Sequence, residues 1–347
     1  MNFFCRLAVA CLIVGITNAD YGLNCTADEP VKVGIIGLDN YQALAFTSLF
    51  HGAAKGEDLS GLRVVCAYPG GSPDIKESVD SLPRWVNQIQ DFDVSIVDTP
   101  QAVLEQVDAV MVMSLDGRTH LQLVSPVLKA GKPVYIGRPL AASLADAIEI
   151  FRRAEESRTP VFSCSQHRFV PGFIGMRDHP EVGEVLGCSI YGGFVTEPHH
   201  PDYFWHAIHG AETLFTIMGP GCRTVTRASS GNFELVTGVW KDGRIGTYRG
   251  IRKGAVEYSG IVFGDKGISR TGIYGYGVPI NGIAPKGGEY MGYKGVAIEI
   301  AKFFKTRKPP VSANETIEIF AFMEAAHESK RQQGQPVQLE TLLQQAP

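Results

Sequence analysis

The 347-residue chain has no C-x-x-C pair, no block of consecutive Lys and Arg, and no apolar stretch long enough to span a bilayer comfortably. Each absence removes a class. Without paired Cys and His spacings there is no zinc-ribbon or thioredoxin-like motif, so no metal site is assigned on spacing. Lys and Arg number 32 against 36 Asp and Glu, a net charge of −4, which leaves no footprint for a nucleic-acid groove or an anionic membrane surface. With 44% hydrophobic and 10% aromatic residues the composition is that of a globular protein, which sets aside collagen-like and disordered chains. The expected partner is a small molecule.

The first residues read as a leader. Arg6 is followed by an apolar run from Leu7 to Ile16 and a small-residue exit, with Thr17 and Ala19 at the −3 and −1 positions. A transmembrane helix needs about 20 apolar residues, and this run is shorter. A buried N-terminal helix is the alternative. Residues 1–19 are therefore expected to be a Sec-type signal peptide, the mature chain exported without stable membrane insertion. Cleavage would leave Cys25, Cys66, Cys164, Cys188 and Cys222, too scattered for a disulfide framework and expected mostly as buried small hydrophobes.

Beyond the leader, strand and helix alternate. Val31–Gly37 is a short apolar run ending in Gly, the form of a buried parallel strand. Similar runs recur at 62–68, 94–97, 109–114, 133–136 and 160–163, with helices predicted at 43–50, 74–90, 118–130 and 143–156. Ser143 and Asp146 form a capping-box-like start for the last helix. This is α/β patterning, a Rossmann-like doubly wound parallel sheet whose ligands bind beyond the carboxyl ends of the strands. After about Phe169 the period changes to two: Phe233, Leu235, Thr237 and Val239 alternate, Asp242-Gly243 marks a turn, and Ile245, Thr247 and Arg249 alternate again. Helices are predicted at 206–218 and 314–330, the second opened by Ser312 and Glu315. The expected organisation is a nucleotide-binding domain over 31–165 and an α+β substrate and oligomerisation domain, with a mostly antiparallel sheet, over 166–335.

Three segments carry a resemblance. Val31-Lys-Val-Gly-Ile-Ile-Gly37, Ala130-Gly-Lys-Pro-Val-Tyr-Ile-Gly-Arg-Pro-Leu140 and Gln166-His-Arg-Phe169 with Pro171 resemble, in order, motifs of the Gfo/Idh/MocA oxidoreductases. His209-Gly-Ala-Glu212 and Gly264-Asp-Lys-Gly267 keep the same rhythm further on. The resemblance implies NAD- or NADP-dependent hydride transfer on a sugar or sugar derivative. It implies a dinucleotide running along Gly37, Leu38, Asp39, Asn40 and Tyr68, past Ser114, Leu115 and His120, to Arg138 and Pro139. Arg138, His209 and His206 become the catalytic candidates, and Gln166, Arg168, Tyr203 and Trp205 the substrate candidates.

The sequence departs from the family at these positions. Where a G-x-G-x-x-G fingerprint needs its later glycines, Asp39 and Gln42 stand. Asp39 is expected to cap the following helix and set a carboxylate where a phosphate would lie. The second strand ends in Tyr68, not in an acid that would read the ribose. The family's Glu-Lys-Pro is Gly137-Arg138-Pro139, and Arg cannot act as a base. His209 takes the family's His position, while Trp205 stands where an Asp is usual; a neutral imidazole there suits a sugar hydroxyl. The alternative for His209 is a satisfied core histidine. His199, His200, Asp202, His206 and His209 invite a metal reading, but a carbohydrate site flanked by the faces of Tyr203 and Trp205 accounts for the segment better. Arg168 is expected to pair with an acid at the domain junction. Three functions stay open: the oxidoreductase, a non-redox carbohydrate binder, and a sugar hydrolase or lyase on the same scaffold. Homo-oligomers through the C-terminal sheet are expected.

Overall fold

The computed structural model describes residues 29–52, 56–273, 286, 288 and 291–345. The segment read as a signal peptide lies outside them. A six-stranded parallel sheet is built from β1 (Val31–Ile36), β2 (Leu62–Tyr68), β3 (Ser95–Ile96), β4 (Ala109–Val112), β5 (Val134–Ile136) and β6 (Val161–Ser163) in the order β3-β2-β1-β4-β5-β6. The order reverses between β1 and β4, which fixes the ligand crevice there. Helices α1 (Tyr41–His51), α2 (Lys76–Gln90), α3 (Pro100–Leu104), α4 (His120–Lys129) and α5 (Leu144–Glu156) make the crossovers. The Ser143 hydroxyl accepts the Asp146 N–H at 3.0 Å, as its spacing predicts.

The second sheet has seven strands: β7 (Val185–Gly193), β8 (Cys222–Ser229), β9 (Phe233–Trp240), β10 (Ile245–Ile251), β11 (Ser259–Gly264), β12 (Ile268–Gly272) and β13 (Val337–Gln338). Its order is β12-β11-β7-β10-β9-β8-β13, antiparallel except that β7 and β10 run parallel. One face is covered by α6 (Pro171–Ile174), α7 (Asp202–Trp205), α8 (Ile208–Met218) and α10 (Ala313–Arg331). The Ser312 hydroxyl caps α10 through the Glu315 N–H.

The helix predicted at 206–218 forms as α8 over Ile208–Met218, two residues shorter at its start. The chain turns at His206, between α7 and α8, which directs Trp205 toward the first domain and buries every residue of α8. Gly210 makes that burial feasible, because a Cβ there would lie 2.3 Å from the Tyr248 ring on β10. Helix α9 (Lys294–Thr306), absent from the sequence reading, returns to the first domain and seats Val296, Ile300 and Phe303 in the core shared by β1, α1 and β6. Its Phe303 ring meets Phe162 edge-on at 4.8 Å. Cys66, Cys164, Cys188 and Cys222 are buried and unpaired. No helix among the described residues is long and apolar enough to cross a membrane.

Candidate active site

The crevice opens where β1 ends at Gly37, whose φ of +97° turns the chain away from the sheet. Asn40, not Asp39, caps α1: its Oδ1 accepts the Gln42 N–H at 3.0 Å. The Asp39 carboxylate points the other way. Its Oδ1 accepts the Leu115 N–H at 3.1 Å and its Oδ2 the Ser78 hydroxyl at 2.7 Å. Burial raises its pKa against these two bonds. The expectation that Asp39 caps α1 is therefore corrected: the Leu115 N–H and the Ser78 hydroxyl hold its carboxylate instead.

The same tie continues outward. Ser72 donates to Asp116 at 2.8 Å, and Arg118 spans Asp116 and Asp74. Burial pulls the Asp116 carboxyl up, but Arg118 and Ser72 hold it below its ordinary range. Ser72 and Ser78 were not singled out by the sequence, since isolated serines in loops carry no pattern. His120 bridges the carbonyls of Ser114 (2.9 Å) and Leu140 (3.2 Å) and is fully buried. It fastens the β4 and β5 loops and does not face the cleft as a ligand. Tyr68 is half-buried, and its carbonyl receives the Gly37 N–H.

Beyond β5 and β6 lies a cluster of imidazoles. Ser165 Oγ and His209 Nδ1 are 2.5 Å apart, and Ser165 also accepts the His167 N–H at 3.1 Å. The rings of His167 and His209 are 4.7 Å apart, those of His206 and His209 5.1 Å, and Tyr258 closes on His167 at 4.6 Å. Tyr258 OH lies 3.4 Å from His206 Nδ1. Burial, reinforced by the Arg138 charge, drives the rings far down: His206 to about 4, His209 well below its ordinary value. His167 falls to about 3, first through burial and then through the neighbouring His206 and Arg138. All three are neutral at pH 7. Neither His167 nor Ser165 was chosen from the sequence, although both adjoin Gln166. Tyr258 had one available signal, the Gly192-Gly193 pair in β7: a Cβ at Gly192 would lie 2.5 Å from the Tyr258 ring.

Other candidates fall elsewhere. Arg168 is buried and pairs with Glu212 (3.3 Å) and Glu315, the structural role expected of it and not a substrate contact. Tyr203 is wholly enclosed among Phe194, Tyr248 and Phe322, and Trp205 is buried against Ile75 and Leu115. Neither offers a face to a sugar, which corrects that expectation. A short helix shows the same aromatic spacing whether it faces a ligand or a core. Among the described residues no group of His, Cys, Asp and Glu is placed to hold a metal.

Four enclosed polar atoms lack a hydrogen-bond partner along one arc of the cleft: Asn40 Nδ2, Gln42 Oε1, Arg138 Nε and His167 Nε2. Gln42 reaches Gln166 at 3.5 Å in the middle of that arc. Buried polar atoms without partners cost about 1–3 kcal/mol each, so the arc is built for a polar ligand. It runs from the α1 N-terminus to the end of β5, the path a dinucleotide takes across such a sheet, and the residues present accommodate one.

Residues 31–164 match the family model described as an oxidoreductase family with an NAD-binding Rossmann fold. Inositol 2-dehydrogenase 1 of Saccharopolyspora erythraea is 36% identical over 80 residues, 23% of either chain. Inositol 2-dehydrogenase of Paracoccus denitrificans is 31% identical over 98 residues, 27% of this chain and 28% of that one. The chain thus matches about a quarter of the length of these curated relatives. The fold is shared far more widely. A probable dehydrogenase from Thermotoga maritima superposes with a TM-score of 0.70 at 19% identity, covering 90% of this chain and 99% of that one. Myo-inositol dehydrogenase from Lactobacillus casei, solved with NAD(H) and myo-inositol, gives 0.67 at 18% identity over 89% and 96%.

Proposed function

We propose that the chain, whose residues 31–164 match the model of an oxidoreductase family with an NAD-binding Rossmann fold, oxidises a secondary hydroxyl of a sugar or polyol derivative with NAD or NADP. The observation that carries the reading is the Ser165–His209 contact, placed beside Arg138 at the carboxyl ends of β5 and β6. When bound, the dinucleotide supplies the hydride acceptor. The N-terminal end of α1 at Asn40, the Tyr68 edge and the Ser114–Leu115 loop would hold its phosphates and adenosine, and Arg138 with Pro139 its nicotinamide end.

The chain's own part is proton handling and orientation. Ser165 Oγ takes the Nδ1–H of His209, which leaves the Nε2 lone pair for the substrate hydroxyl. Enclosure beside Arg138 keeps that ring unprotonated at rest. As the O–H bond breaks, the proton moves to Nε2, and the Arg138 guanidinium stabilises the alkoxide oxygen. Trp205 and Leu115 pack over the crevice and exclude water.

The test is turnover at 340 nm with NAD and NADP over a panel of polyols, sugars and sugar acids. His209→Ala should lose about 10²–10⁴-fold in kcat with dinucleotide binding retained. Full activity in that variant, or no dinucleotide binding by the natural protein, would overturn the reading. We further propose export through residues 1–19 and self-association through the open face of the second sheet.

A further inference from the structure

We propose that the substrate carries a carboxylate, as an aldonic or uronic acid does, and that Arg138 is its counter-ion. The inference rests on the proposed function of the same cleft and names its substrate class.

Arginines enclosed elsewhere in the described chain are matched by acids. Arg168 has Glu212 and Glu315, and Arg227 has Asp202 and Glu234. Arg138 has none among the described residues. Its Nε is enclosed without an acceptor, and the one carboxylate acting on it, Glu77, is exposed and acts only at a distance. The groups around it are the phenols of Tyr135, Tyr258 and Tyr293 and the neutral rings of His167, His206 and His209. Among the described residues the floor of the cleft therefore holds one whole positive charge and no negative one.

A lone enclosed cation is costly unless something pairs with it. The alkoxide cannot be that partner at rest, because it exists only as the hydroxyl loses its proton. A ligand with a permanent negative charge can. The planar guanidinium fork matches a carboxylate, donating two parallel N–H···O bonds to its oxygens. Packing does not forbid an internal counter-charge beside it: a Cβ on Gly137 would make only ordinary contacts of 3.4–3.5 Å with Met113. Among the described residues no acid neutralises Arg138, and that place is left for the substrate.

The pairing also serves the proton transfer. Arg138 adds to burial in depressing the basicity of His209, and a carboxylate on Arg138 offsets that added part. A neutral polyol would leave it in full.

The experiment measures binding calorimetrically, without turnover, and separately the dinucleotide-dependent rate. D-gluconate, D-glucuronate and D-galacturonate are compared with D-glucitol, D-glucose and myo-inositol, with inorganic phosphate and NAD titrated alone. The acids are expected to bind about 10-fold or more tightly than their neutral counterparts. Arg138→Gln should reduce that preference to about 2-fold or less. Gly137→Glu, which supplies the counter-charge while Arg138 stays, should do the same, and thermal melts establish that both variants fold. Equal or tighter binding of the neutral polyols, or a preference that survives Arg138→Gln, would overturn the proposal. So would phosphate or NAD alone displacing the acids through Arg138. Oxidation of neutral polyols with no acid preference would defeat this inference and leave the oxidoreductase standing. Tight acid binding with no dinucleotide-dependent rate would do the reverse.

Discussion

His167, His206 and His200 have folded-state pKa values of about 3, 4 and 4, all pushed down first by burial. A free imidazole titrates near 6.5, so protonation favours the unfolded chain, and their contribution to stability is whole above that pH and lost as the pH falls toward 4. Glu212 acts in the opposite sense: burial raises it to about 7, so its contribution is complete below the unfolded value of 4.5 and lost as the pH rises through 7. Three rings outweigh one carboxyl. The unfolding midpoint should fall between pH 6.5 and 4, and less steeply in His167→Asn; a midpoint indifferent to pH would contradict this. Ser165 supports a separate expectation. Ser165→Ala removes a hydrogen bond of about 1–1.5 kcal/mol from His209 and should lower kcat roughly 10-fold with KM little changed. Imidazole ¹⁵N shifts of His209 should move with it, and unchanged shifts would show that Ser165 does not fix the ring. Arg138 and His209 were legible in the sequence because each sits in a quoted motif. The rest of the cluster was not: Ser165 and Tyr258 acquire meaning only through distances of a few ångströms that spacing does not encode.

At the scale of elements, the first domain is legible for a physical reason. Parallel strands buried on both faces must be contiguous apolar runs, so β2 appears with the bounds its sequence predicts, and β1, β4, β5 and β6 within a residue or two. The second domain is less so, because the parallel pairing of β7 with β10 joins strands far apart in the chain. Helix α9 does carry a pattern, with Val296, Ala297, Ile300, Ala301 and Phe304 on one side, but no side chain caps it. The break between α7 and α8 is set by tertiary packing at Trp205, which outweighs local helix propensity. Gly210→Ala tests how tightly α8 is seated. Its Cβ would fall within the Tyr248 ring's van der Waals surface, so a loss of about 1–3 kcal/mol is expected from overpacking. Because α8 carries His209, activity should fall even below the melting transition. A stable and fully active Gly210→Ala would show that the helix sits looser than its contacts imply.

The whole molecule presents one sheet face to solvent. Across it, register aligns Ile268, Phe263, Gly187, Ile245 and Val239 in a row, with Ile268 65% and Ile245 51% exposed. We propose that this apolar row is an association surface. Sedimentation should show a dimer or larger, and Ile245→Asp should shift it toward monomer without lowering the melting point; a monomeric natural protein would refute the assignment. N-terminal sequencing of the native protein should begin near Asp20, and a soluble cytosolic form starting at Met1 would exclude export.

The late position of α9 bears on the timing of biogenesis. The first sheet begins at Val31, yet the aromatic cover over β1 and β6 is supplied by residues 294–306. A nascent chain that has emerged only as far as β6 holds every strand of that sheet and still exposes Phe46 and Phe162, which α9 later covers. The nucleotide-binding half thus cannot finish folding on the ribosome ahead of the other half. Under the proposed export, that delay would keep the domain translocation-competent until nearly the whole chain had been made.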